Sequence, residues 1–229
     1  MNIAKIIALT NPIISAWETG TESPIGAEAF IAYCARVSNP QNQSNTLTAP
    51  KLLKYLIDHK HWSPFEMVSI TMDIVTTRDI AHQIVRHRSF SFQEFSQRYA
   101  DPTKDMGFVT REARLQDTKN RQNSIETYND VMNRNWEMKQ MHIQHNAEQV
   151  YHWAIENGIA KEQARVILPE GLTKTRLYMA GTLRSWIHYC DVRCEEGTQK
   201  EHRMVAESAR KEILMHFPSL REYWEEHGK

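Results

Sequence analysis

Apolar positions recur along this chain with two different periods, and the change of period marks its elements. Residues 1–9 alternate loosely and stop near Pro12, which predicts a short strand. Residues 28–37 carry apolar side chains at helical spacing, with Phe30, Tyr33, Cys34 and Val37 on one face. Residues 52–59 repeat that period. Between these two helices, residues 39–45 form a polar loop with one proline, and Ser63-Pro64 breaks the chain after the second. Residues 67–75 then alternate, with Val68, Ile70, Met72 and Ile74 on one side, so this stretch is a strand with one apolar face. Thr76 or Thr77 can cap a following helix over residues 78–87, with Asp79 in its first turn.

Residues 124–158 lack proline and place Ile125, Tyr128, Met132, Trp136, Ile143 and Val150 on one stripe. They predict a single long helix stopped by Gly158. A short helix over 161–167 ends at Pro169, a strand covers 172–179, and helices cover 181–189, 199–216 and 218–227. The sum is an α+β chain, helix-dominated, with a small sheet and long flanking helices in one domain over residues 1–229.

Composition narrows the function classes. The chain has 229 residues, 41% hydrophobic and 24% charged, typical of a soluble globular protein with a sizeable core. Lys plus Arg equal Asp plus Glu at 28 each, so no global field points to nucleic acid or an anionic membrane. No run of about 18 apolar residues exists to span a membrane. The N-terminus lacks a cleavage site after an apolar core, so no signal peptide is expected. Three cysteines, Cys34, Cys190 and Cys194, do not make a disulfide framework and fit a reducing cytoplasm.

The densest polar constellation runs from Gln83 to Tyr99. Four arginines between Arg78 and Arg98 face only Asp79 and Glu94, and Gln83 and Arg86 are three apart on one helical face. Guanidiniums interleaved with the hydroxyls of Ser89, Ser91 and Ser96 are a phosphate-binding composition. The same composition also describes a solvated basic helix end.

The order of the residues separates these readings. The segment RHRSFSFQEFSQRY, from Arg86 to Tyr99, resembles the signature of the flavin-dependent thymidylate synthases, RHR followed by S-x-N-E-x-S-x-R-Y, with Gln93 in place of the usual Asn. Four further elements resemble that family in its order. They are Ala35-Arg36-Val37-Ser38, His61-Trp62-Ser63-Pro64-Phe65-Glu66, the run from Ala164 to Pro169, and Leu183-Arg184-Ser185-Trp186-Ile187-His188 with Arg193 beyond it.

The resemblance implies conversion of dUMP to dTMP. Methylenetetrahydrofolate would supply the carbon, NADPH the reducing equivalents and FAD the hydride carrier, in a homotetramer with active sites at subunit interfaces. It implies flavin contacts from Ser38, His61, Ser63, Arg86, His87, Arg88, Ser89, Glu94, Thr182, Arg184 and His188. Gln83, Arg86, Glu94, Ser96, Gln97 and Arg98 match the dUMP site, and Arg165 matches a phosphate-binding Arg from another subunit. Arg193 matches the catalytic Arg that contacts the uracil ring. Thr182 and Gly197 stand where many members carry Asn and His. No side chain is expected to bond covalently to uracil C6.

Blander readings accompany these. Ser96 has no local His/Asp pair to activate it and reads as a phosphate hydrogen bond. Cys190 and Cys194 lack a second pair for a metal and read as buried or half-buried thiols, with Cys34 in the core. His142, His145 and His152 have no carboxylate partner at metalloprotease spacing and read as a solvated or interface face, so no metal is expected. Trp136, Trp153, Trp186 and Trp224 read as core. Two other functions compete: an RNA- or nucleotide-binding module without turnover, and a non-catalytic nucleotide-binding paralogue. Zero net charge and the lack of an aromatic strand motif speak against RNA.

Overall fold

The computed structural model describes residues 3–14 and 25–227. Residues 1 and 2 of the expected first strand lie outside the described residues, and the strand is β1 (Ala4–Leu9). Helices α1 (Ala27–Ala35) and α2 (Ala49–Asp58) follow, with a 3-10 turn, Pro40–Asn42, in the polar loop between them. The alternating segment is β2 (Ser69–Thr77), which leads directly into α3 (Arg78–Ile84). Two short strands come next where no strand was expected to pair, β3 (Ser91–Glu94) and β4 (Arg114–Gln116), separated by the one-turn helix α4 (Pro102–Asp105). The remaining elements are β5 (Ser124–Glu126), α5 (Asp130–Glu156), α6 (Lys161–Ala164), β6 (Lys174–Thr182), α7 (Leu183–Arg193), α8 (Lys200–His216) and α9 (Arg221–His227).

The main sheet has the order β1-β2-β6-β3, antiparallel throughout, and β4 pairs with β5 in a separate hairpin. The period-2 pattern of β2 does what it predicts: Ile70, Met72 and Ile74 are buried, opposite Gly181, Met179 and Leu177 of β6. Each such aliphatic side chain contributes about 1.5–3 kcal/mol by leaving water. Helices α7 and α8 cover this face, and the indole of Trp186 donates to the carbonyl of Ile70 at 3.1 Å. The edge strand β1 is closed by α8. Ser208 Oγ accepts from the Ala4 N–H and Glu212 from the Ile6 N–H, so donors that would invite another strand are used. The C-terminal helix α9 is pinned by Tyr223 and Trp224, which both donate to Asp191 at 2.9 Å.

Several expectations give way to tertiary contacts. The long helix starts at Asp130, capped by the Asn129 side chain, because residues 124–126 pair with β4 instead. It ends as expected at Gly158, whose φ of +78° only glycine adopts without strain. Its apolar stripe faces outward: Ile125, Tyr128, Met132, Trp136, Ile143 and Val150 are all exposed, as is Trp153. The face turned inward holds Gln140, Ala147, Tyr151 and Ala154. Gln140 clamps the Arg111 N–H and C=O at 2.8 Å each, and Gln144 donates to the Val109 carbonyl. Side-chain amides and a small apolar cluster of Tyr151, Ala154 and Ala164, not the stripe, therefore attach this helix. Trp186 and Trp224 are core as expected, while Trp136 and Trp153 are not.

In α1 the buried residues are Ala27, Ile31 and Ala32. Phe30, Tyr33 and Cys34 are half-buried and Val37 is exposed, so the expected face is turned by about one position. Thr77 precedes α3 but does not cap it. Its hydroxyl donates to Asp79 at 2.6 Å, within an ion pair that Asp79 makes with Arg111.

Candidate active site

The site forms where the end of α3 and the start of α7 meet. Helix α3 stops at Ile84, three residues short of expectation, so Arg86 leaves the helical face it was to share with Gln83. Arg86, His87, Arg88 and Ser89 make a turn that leads into β3. Phe90 anchors this turn. Its ring packs edge-on against Trp186, with centroids 4.9 Å apart, and lies over the backbone of Gly181 in β6. A Cβ at Gly181 would sit 2.4 Å from that ring, so the absence of a side chain there lets the turn approach the sheet.

Helix α7 begins at Thr182, whose hydroxyl accepts from the Ser185 N–H at 3.3 Å. This cap fixes the helix start, and the i,i+4 spacing of Arg184 and His188 places both on one face. That face and the turn enclose a cleft of roughly 430 Å³ lined by Trp62, Glu66, Ser89, Arg184, His188 and Asp191, among others. Ser185 Oγ donates to the Ser89 carbonyl at 3.4 Å, and Arg184 pairs with Glu66, so turn, helix and the Ser63–Met67 segment are tied together.

Neither Arg193 nor His87 lines this cleft. Arg193, at the end of α7, donates from Nε to His87 Nε2 at 2.9 Å. Burial first, then the Arg193 and His188 charges, push the His87 pKa down to about 4. The ring is therefore neutral near pH 7 and accepts that bond as the Nδ1–H tautomer. With Nε used, the two terminal nitrogens of Arg193 have no partner among the described residues.

Three of the residues implied by resemblance line this cleft, and the others lie on several further segments. Ser89, Arg184 and His188 line the cleft, with Ser63 on the segment that supplies Trp62 and Glu66. Gln83 bonds to Gln199, beside His202. Glu94 lies on β3, where it accepts from Arg78 at 3.1 Å and Thr175 at 2.8 Å. Ser96 accepts from the Arg98 N–H, and Gln97 is buried. Arg98 pairs with Glu162 at 3.2 Å and Lys161 donates to the Tyr99 carbonyl, so two contacts join this segment to the one bearing Arg165. Arg86 and Arg88 are exposed on the turn, and Thr182 is the cap just described. Ser38 and His61 do not line the cleft. Ser38 is exposed beyond α1, and His61 stands beside Tyr55 and His59.

Sequence reasoning missed Gly181 and Phe90, which shape the turn, and Tyr189, Gln199, Glu201 and His202, which lie beneath it. None has a local spacing that signals a role. Of the histidines on α5, His152 lies 3.0 Å from Thr103 and His142 beside Asn146, and no group of three metal-binding side chains occurs among the described residues. Cys190 is buried and Cys194 half-buried, in line with the bland reading, whereas Cys34 is half-buried rather than core. Among the described residues, no helix is long and apolar enough to cross a membrane.

The cleft brings together a guanidinium, hydroxyls and an indole, groups that suit anionic and planar ligands. Comparison with known proteins makes this particular. The family described as thymidylate synthase complementing protein matches residues 22–219. The flavin-dependent thymidylate synthase of a Synechocystis species is 49% identical over 216 residues, 94% of this chain and 96% of that one. A probable flavin-dependent thymidylate synthase of Paramecium bursaria Chlorella virus 1 is 46% identical, covering 95% and 96%. The crystal structure of the UMP/dUMP methylase PolB from Streptomyces cacaoi, bound with 5-Br dUMP, superposes with a TM-score of 0.78. It shares 22% identity and covers 98% of this chain and 95% of that one, a likeness of fold. This chain belongs to the flavin-dependent thymidylate synthase family.

Proposed function

We propose that this protein is an FAD-dependent thymidylate synthase that methylates dUMP to dTMP, with methylenetetrahydrofolate as carbon donor and NADPH as reductant. The observation that carries the reading is the Arg193 to His87 bond, which joins the arginine that the resemblance implies as catalytic to the Arg-His-Arg turn. The 430 Å³ cleft beside it suits a large ligand with an anionic middle and flat ends. Ser89, Arg184 and His188 supply donors, and Trp62 a stacking face. Bound there, the flavin supplies the redox chemistry.

The chain's own residues do the rest. Carbon C5 of uracil is a poor nucleophile, and the guanidinium of Arg193 holds a fixed cation for the ring's O2/N3 edge. That cation stabilises negative charge as it builds. His87 orients the guanidinium and, being neutral, does not repel it. Ser96, Arg98 and Arg165 hold the nucleotide phosphate, with Arg165 contributed by another subunit. The outward apolar stripe of α5, including Met132, Trp136 and Ile143, supports the homotetramer that such a shared site needs. Three unpaired thiols suit the cytoplasm.

A visible absorption time course tests this. Protein loaded with FAD is mixed with NADPH without oxygen, with and without dUMP. Flavin bleaching accelerated by dUMP, followed by dTMP formation once folate is added, is the expected result. Absence of both flavin binding and a dUMP effect transfers the assignment to a non-catalytic nucleotide-binding paralogue.

A further inference from the structure

Beneath the Arg86 to Ser89 turn runs a chain of hydrogen bonds through Gln83 whose other members have no role in the proposed chemistry. His202, in α8, is fully buried. Its Nε2 lies 3.1 Å from the Tyr189 hydroxyl and its Nδ1 3.2 Å from Gln83 Oε1. Gln83 Nε2 donates to Gln199 Oε1 at 2.8 Å, and Gln199 Nε2 donates to Glu201 Oε2 at 3.0 Å. Glu201 also accepts from Arg114. Burial pushes the Glu201 carboxyl up, but bonds from Arg114, its own backbone and Gln199 outweigh that and hold it below the usual range.

The sense of every bond follows from that ionised end. A carboxylate only accepts, so Gln199 turns its nitrogen to Glu201 and its oxygen to Gln83. Gln83 must then donate to Gln199, which leaves its own oxygen facing His202. An amide oxygen only accepts, so His202 carries its proton on Nδ1, and Nε2 accepts from Tyr189. One assignment satisfies all of the bonds. Burial first, then the Arg193 charge, lowers the His202 pKa to about 3, and the ring is neutral as that assignment requires. The Gln83 nitrogen has a second hydrogen, which has no partner among the described residues.

We propose that His202 is a positioning residue of the nucleotide site: held at Nε2 by the Tyr189 hydroxyl, its Nδ1–H donates to the Gln83 amide oxygen and locks Gln83 with an amide N–H offered to an oxygen of the bound nucleotide. The inference rests on the reading of this site as a dUMP site. A nucleotide presents mainly acceptors on its phosphate, sugar and carbonyl groups. A flipped Gln83 amide would turn an oxygen toward them and forfeit the bond.

The test uses the FAD-loaded protein, with dUMP affinity read from perturbation of the flavin band and KM and kcat measured at saturating folate and NADPH. His202→Leu removes both ring partners. It is expected to weaken dUMP binding and raise its KM on the order of tenfold, while kcat changes far less. His202→Asn keeps an N–H near the Nδ1 position and should recover most of that loss. Unchanged dUMP affinity in the Leu variant, or equal weakening in both variants, overturns the proposal. Should the Leu variant fail to fold or to load flavin, Tyr189→Phe carries the test by deleting one oxygen atom. A several-fold weaker dUMP affinity is expected, and wild-type affinity overturns the proposal. A wild-type protein that does not bind dUMP refutes the functional reading itself. A wild type that binds it, with an unaffected Leu variant, removes only the role of His202.

Discussion

Acid should destabilise this protein through two neutral histidines, and one substitution isolates the effect. His202 has a folded pKa of about 3 and His87 of about 4, both lowered first by burial. An unfolded imidazole titrates near 6.5. A group whose folded pKa is depressed in this way binds protons on unfolding, so it adds stability above the unfolded value. That stability is lost as pH falls from about 6.5 toward the folded value. At pH 5 the unfolded ring is almost wholly protonated and the folded His202 almost wholly neutral. Integrated from pH 7 to pH 5, His202 alone removes about 2 kcal/mol of stability. Half-buried His87 removes less, because solvent screens its exposed edge. Urea unfolding of wild type and His202→Asn, followed by far-UV circular dichroism across pH 5–7, checks this. The Asn variant is the less stable at pH 7, and the gap should narrow by about 2 kcal/mol by pH 5. Parallel stability curves would refute the neutral, buried His202.

Other expectations concern how the site is built. Gly181→Ala forces the Phe90 ring away from β6 and should cost about 1–3 kcal/mol by thermal or urea unfolding. It should also loosen flavin retention, since Phe90 anchors the turn; wild-type stability would show that the ring moves freely. Arg193→Ala should lower turnover by on the order of a hundredfold or more while flavin stays bound, as read by single-turnover dTMP formation and the flavin spectrum. Wild-type turnover would sink its catalytic role. Alanine at Cys34, Cys190 or Cys194, one at a time, should leave turnover largely intact. Loss of turnover in a folded variant would point to a thiol nucleophile and away from the flavin route.

Where a residue's fate depends on its near neighbours, it was legible in the sequence. The alternation in β2, the stop at Gly158, the break at Pro169 and the helix over residues 200–216 all rest on local backbone and side-chain chemistry. So does the linear order of the five elements that resemble the family, including the Arg-His-Arg turn. Tertiary structure decided what no window of sequence contains. Residues 124–126 became a strand because β4 lay within reach, and the α5 stripe faced out because Gln140 and Gln144 fastened the other face to residues 109–111. The pairing of Arg193 with His87 joins positions 106 apart, and the tautomer of His202 depends on an amide 119 residues away. Local periodicity sets which backbone hydrogen bonds a segment can close. Burial and the direction of a hydrogen-bond chain exist only once distant segments have packed.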